Sequence, residues 1–143
     1  MFKNQIYIRI LFIFVADFIS SSFFLIYLNI SRTNRAMIIV FPFIRRFNIS
    51  GITLFPVIFL ASTQIKHNEQ IVNHEKIHLR QEMELLVVLF YLIYFTEFLV
   101  GYIKYNDRYK AYRNISFERE AFTNDFNPDY LKIRRPWSWY NYF

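Results

Sequence analysis

Cysteine is absent from the 143 residues, and histidine occurs only three times. Without cysteine there is no disulfide framework, and any metal site must be built from histidine and carboxylate. There is no internal repeat and no low-complexity tract. Nor is there a recognised nucleic-acid motif or a continuous basic face. Nucleic acid is therefore not expected as a partner, although 17 Lys+Arg against 11 Asp+Glu give a net charge of +6. The three Asn-Ile-Ser triplets at Asn29, Asn48 and Asn114 carry no weight, because nothing else points to a glycosylating compartment. What the chain has in excess is apolar surface, 55% hydrophobic and 22% aromatic residues. A single small domain buries too little of its chain to hide that much, so a lipid or protein partner is implied.

Residues 10–30 are apolar except for Asp17 and the Ser20-Ser21-Ser22 patch, and they are long enough to cross a bilayer as a helix. Arg32, Arg35, Arg45 and Arg46 follow the run, which by the positive-inside rule puts the rest of the chain in the cytoplasm. No small-x-small site follows it, which argues against a cleaved signal peptide. Residues 1–36 are thus expected as an apolar, membrane-associated segment and 37–143 as the folded domain. Residues 37–43 and 51–60, rich in β-branched and aromatic side chains, read as two strands joined by a short loop. Pro42 and Pro56 each lack a ladder donor, so at least one strand belongs at a sheet edge. Residues 61–68 look like a polar linker. Asn68 is placed to cap a helix that runs on through Glu82. Ser116 is placed to cap a second helix from Phe117. The tail from Lys132 mixes Arg134 and Arg135 with Trp and Tyr, as a membrane interface favours.

One motif carries chemistry. His74-Glu75-Lys76-Ile77-His78 lies on the expected helix, where residues four apart share a face. His74 and His78 can present two imidazoles to one zinc ion. Glu75, about 100° round from His74, falls beside the open coordination position, where it serves as general base toward a zinc-bound water. A catalytic zinc needs a third ligand. No histidine follows His78 at short spacing, and His67 reads as a loop residue. The second helix offers Glu118 and Glu120, which point about 200° apart, so only one can face the metal. The other is expected to pair with an arginine such as Arg119 or Arg113, or to stay solvated. Tyr109, Tyr112 and Arg113 are candidates for stabilising a developing oxyanion.

With these residues the chain resembles the gluzincin-type peptidases, in which a His-Glu-x-x-His helix is followed by a helix donating a glutamate. It looks closer still to a family of small bacterial proteins of uncharacterised function that share NHEKIHLRQ (residues 73–81) and YRNISFEREAF (residues 112–122), from about Ile38 onward. The resemblance implies a small α+β, zincin-like domain behind an N-terminal apolar helix: a short antiparallel sheet or hairpin with an edge strand, an active-site helix and a second, Glu-bearing helix. It implies His74, His78 and Glu118 as ligands of one zinc ion, with Glu120 the alternative. It also implies that Gly51, Ile52, Thr53, Leu54 and Phe55 form an edge strand that binds a peptide substrate by β-augmentation. Phe122 stands where related peptidases carry an aspartate that supports a zinc-bound histidine, which predicts a missing contact.

Geometry adds a constraint. One straight helix from His78 to Lys104 would be about 39 Å long and would hold His78 and Glu118 far apart. The zinc reading therefore requires a break, placed between Val87 and Thr96, although no proline marks one and Gly101 comes late. The sequence then predicts a membrane-associated zinc metallopeptidase at a bacterial inner membrane, its site facing the cytoplasm and its partners lipid and a peptide or protein substrate. The alternatives are a non-catalytic zincin-like protein that binds metal or a partner, and a helical membrane protein with an accidental motif. Oligomeric state is left open.

Overall fold

The two apolar β-branched segments fall into three short strands in the computed structural model, which describes residues 36–143. The apolar run 10–30, and with it nearly all of the expected segment 1–36, lies outside the described residues. Strand β1 is Met37–Val40, β2 Gly51–Leu54 and β3 Val57–Leu60. Pro42 begins a 3-10 turn, Pro42–Phe47, and so ends β1. Phe55 and Pro56 form the turn that splits residues 51–60 into a hairpin. β3 lies in the middle, in the order β1-β3-β2. It pairs parallel with β1 (Met37 opposite Val57) and antiparallel with β2 (Gly51 opposite Leu60). The sheet is therefore mixed and three-stranded, not the antiparallel pair expected from sequence, and β2 is an edge.

Helix α1, Thr63–Lys66, capped by the Ser62 hydroxyl, interrupts the stretch read as a linker. Helix α2, Glu69–Glu84, starts at Asn68 as expected, with Asn68 Oδ1 accepting from Ile71 N–H at 3.1 Å. It packs on β2 and β3, against the side into which Ile58 and Leu60 are buried. Helix α2 stops at Glu84, and the chain turns through Leu86 (φ 53°) and Val87 (φ 63°) before helix α3, Val88–Tyr105. The break needed by the metal reading is thus present at the very start of the expected window. Two bulky residues in left-handed backbone make it, a conformation side chains of this kind disfavour.

Helix α4, Arg108–Arg113, capped by Asp107, returns along the last turns of α3. Gly101 permits that close approach, since a Cβ there would stand 3.2 Å from Ala111 Cα. Helix α5, Ser116–Asn124, then runs back to α2. Ser116 is its first residue and not its side-chain cap, because its N–H and hydroxyl bond Glu97 at 2.6 and 2.7 Å. This contact also explains the carboxylate within apolar α3. After helix α6, Tyr130–Ile133, the tail ends in a 3-10 turn, Ser138–Tyr142.

The tail does not present all its basic and aromatic residues outward. Trp139 is buried with Leu85, Phe90, Ile115 and Phe117. Arg134, with its side chain only 1% exposed, pairs with Glu84 and Glu120. The outward face of α3 is apolar: Val88, Leu89, Leu92, Phe95, Leu99 and Ile103 are all exposed. The Thr96 hydroxyl on this side is turned back onto Leu92 C=O at 2.7 Å.

Candidate metal centre

Helix α2 places His74 and His78 on one face, and α5 brings Glu118 against them. The two Nε2 atoms are 3.0 Å apart. Glu118 Oε2 is 3.2 Å from His74 Nε2, and its Oε1 is 3.4 Å from His78 Nε2. A tetrahedral ion with bonds of about 2.0–2.1 Å separates its ligand atoms by about 3.3 Å, and one ligand atom from each of the three residues lies within 4.8 Å of the others.

The tautomers follow from the other ring nitrogens. His74 Nδ1 faces Asp125 Oδ2 at 3.2 Å, and His78 Nδ1 faces Gln81 Oε1 at 2.8 Å. Both partners accept, so each Nδ1 carries a proton and each neutral ring turns the lone pair of Nε2 inward. Gln81 is held in that orientation because its Nε2 donates to Phe117 C=O and Glu120 Oε2. Two imidazole lone pairs and a carboxylate then converge in a buried spot, which is an arrangement for a cation. In the metal-free protein a proton takes that place. Burial disfavours the His78 cation, but the Glu118 carboxylate outweighs it and pushes the imidazolium up to about 9. Burial likewise works to raise Glu118, yet His78 and His74 together hold it well below the usual carboxylate range. His74, His78 and Glu118 thus form a buried group able to hold a metal ion.

Glu120 points elsewhere, to Arg134, to Gln81 and to the Tyr130 hydroxyl at 2.7 Å. Its ionic partner is Arg134, not Arg113 or Arg119. Arg113 lies with its guanidinium carbon 3.7 Å above the Phe122 ring and does not line the cavity over the site. Tyr109 and Tyr112 do line it, and Tyr112 interacts with Glu118. Sequence reading missed Tyr94, whose hydroxyl donates to Glu118 Oε1 at 2.8 Å.

It also missed Asp125. Phe122 packs edge-on against the His74 ring, 4.5 Å between centroids, and the aspartate comes three residues later. Seven residues past Glu118, it shares that residue's helical face, the one sequence signal that pointed to it. Gln70 Nε2 donates to Asp125 Oδ1 at 3.1 Å, and Asn73 Nδ2 donates to Asn124, Asp125 and Asn127 carbonyls. These bonds tie the end of α5 to α2.

Glu75 lies between this group and the edge strand. Thr53 Oγ1 is 2.7 Å from Glu75 Oε2 and 3.0 Å from Glu75 C=O. Gly51 leaves the room Glu75 occupies, as a Cβ there would fall 2.6 Å from Oε1. Burial raises the Glu75 acid, against the pull of both histidines. Glu82, about two turns further along α2, accepts from the Tyr91 hydroxyl and from Phe55 N–H, each at 2.7 Å, and burial pushes its acid up to about 7. A cavity of about 720 Å³ joins these parts, walled by α2, β2, α3 and α5. Comparison with known proteins returned no matching family model, curated protein or solved structure.

Proposed function

We propose that the chain is a zinc-dependent peptide hydrolase of zincin-like architecture, working at a membrane surface. The observation that carries this reading is the convergence of two outward-anchored imidazoles and Glu118 beside a buried, unligated Glu75. Two histidines and a carboxylate suit zinc, leaving one position open. Zinc held there supplies a water of lowered pKa and polarises the substrate carbonyl. Glu75 takes the proton of the attacking water and passes it to the leaving amine, so its raised acid suits both halves of the step. Thr53 holds the carboxyl in place, and Tyr94 and Tyr112 line the wall on the Glu118 side. The free edge of β2 offers main-chain groups to an extended peptide.

The membrane part of the reading is supported by α3. A helix apolar on both faces lies in a core or against lipid, and this one has an exposed apolar face on which the Thr96 hydroxyl is internally bonded. Its length and hydropathy suffice for a span. A crossing is opposed by α4, which carries Arg108, Lys110 and Arg113 back along its last turns. A helix lying along the interface fits both facts.

The test is Glu75→Gln in the full chain. It retains one zinc per chain and loses about 10²- to 10⁴-fold in hydrolysis of a peptide pool, while His74→Ala loses the zinc. Wild-type protein that binds no zinc overturns the reading. Zinc binding with no hydrolysis by wild type turns it to metal or partner binding.

A further inference from the structure

The outer edge of β2 is open at one end and closed at the other. Ala61 N–H donates to Ser50 C=O at 2.9 Å. By antiparallel alternation Ser50, Ile52 and Leu54 then turn their main-chain groups toward β3, and Gly51, Thr53 and Phe55 turn theirs outward. Beyond Gly51 the cavity continues past Ser50 and Ile49 to Asn48, where a second hollow of about 510 Å³ shares the same residues. Toward the other end the outward groups are already taken. The Tyr91 hydroxyl shares its one proton between Glu82 Oε1 at 2.7 Å and Thr53 C=O at 3.1 Å and so covers that carbonyl, and Phe55 N–H donates to Glu82 Oε2 at 2.7 Å. Tyr91 and Glu82 stand where the next residue of a pairing strand would place its own donor and acceptor.

A peptide laid antiparallel on this edge therefore has a direction and an end. From the residue opposite Gly51 it runs toward its N terminus past Ile52 and Thr53, and there it meets Glu82. A parallel peptide would bring a C-terminal carboxylate to the same carboxyl, like charge against like. Resting on the peptidase reading above, we infer that the cleft takes peptides by their free amino terminus, the α-ammonium donating to the Glu82 carboxylate. The donors Glu82 has from Tyr91 and Phe55 are neutral, and an ammonium supplies the opposite charge that its burial calls for. The substrate class is then short or unfolded chains trimmed from the N-terminal end. Water adds to the carbonyl carbon, the C–N bond breaks, and Glu75 delivers the proton to the departing amine.

The experiment uses the full-length, zinc-loaded protein and one random hexapeptide pool in two forms, free-amine and N-acetylated, with products read by mass spectrometry. The expected result is loss of N-terminal residues from the free-amine pool, with the acetylated pool cut about 10- to 100-fold more slowly, as when a buried polar group is left unpaired. Glu82→Gln is expected to raise KM for the free-amine pool and bring the two pools toward equal rates, with zinc content unchanged. Internal cuts at equal rates in both pools overturn the inference and leave the peptidase reading standing. Zinc-loaded wild type that cuts neither pool overturns both. Should Glu82→Gln fail to fold, seen as lost zinc and lost helical signal, the comparison of pools with wild type decides alone.

Discussion

Asp125 Oδ2 stands 3.2 Å from His74 Nδ1, on the ring nitrogen that Glu118 does not touch. The contact fixes which nitrogen of His74 is protonated and aims the other at the metal position. Asp125→Ala should leave the fold intact and weaken zinc binding by about 10- to 100-fold, the usual effect of removing a carboxylate behind a ligand histidine. Competition against a chelating dye measures it. An affinity equal to wild type would mean that Asp125 serves only the packing of the α5 end.

That pair also shows where the sequence was legible and where it was not. His74, Glu75 and His78 could be read because one helix carries all three, and the four-residue spacing alone places two of them together. Glu118 could be narrowed to one of two because helical geometry lets only one face the metal. Asp125 was hidden because it lies one turn beyond Phe122, the position where the resemblance led an aspartate to be sought, and a hydrophobic ring fills that position. The split of residues 51–60 into a hairpin at Phe55-Pro56 lay inside what read as one strand, and the parallel pairing of β1 with β3 joins residues twenty apart in the chain. The break after Glu84 was required by the site but had no local sign, since Leu86 and Val87 adopt positive φ without glycine. Arg134 and Trp139 misled because a basic, aromatic tail has the same composition whether it meets lipid or closes a core.

Gly51→Ala tests whether β2 and Glu75 are keyed together. The added Cβ meets the far end of the Glu75 side chain, 2.6 Å from Oε1, and not backbone. The side chain can swing away, so the melting temperature should change little while the carboxyl leaves the Thr53 hydroxyl. Hydrolysis should fall with zinc content unchanged. Thr53→Val, which removes the hydroxyl and keeps the shape, should act the same way to a smaller extent. Full activity in both would show that Glu75 needs no support from the strand.

Arg134 pairs with both Glu84 and Glu120, and its side chain is almost wholly buried. Arg134→Met takes from Glu84 and from fully buried Glu120 the cation that they share, which destabilises by about 3–5 kcal/mol. Urea denaturation should show a lower midpoint with little change in slope. The triple replacement of Arg134, Glu84 and Glu120 by apolar residues of similar size should recover most of the loss, since all three charges of the cluster then go together.

The metal-free protein should depend on pH through the same atoms. His78 titrates at about 9 when folded against an ordinary 6.5, so its contribution is complete below 6.5 and is lost as pH rises through about 9. Glu118 is held below its ordinary 4.5, so its contribution is present above 4.5 and is lost as pH falls through the lower folded value. Together they stabilise most between 4.5 and 6.5. Zinc must displace the His78 proton, so its apparent affinity should climb with pH up to about 9 and then level. Melting curves with chelator and zinc titrations over this range measure both trends, and His78→Ala should remove the alkaline decline.

The outward face of α3 is the surface on which the membrane reading stands or falls. Leu92 and Phe95 are 59% and 61% exposed, lie about one turn apart, and touch neither the cavity nor the buried cluster. Leu92→Lys with Phe95→Lys removes two anchors yet adds two positive charges, which by themselves would strengthen attachment to anionic lipid. If the face inserts, the lost apolar burial of about 1.5–3 kcal/mol per side chain outweighs that attraction. Sedimentation with anionic vesicles should then show the double variant partitioning more weakly, with zinc content unchanged. The opposite result, tighter binding by the double variant, would mean that charge alone brings the protein to the surface and that α3 is covered by protein.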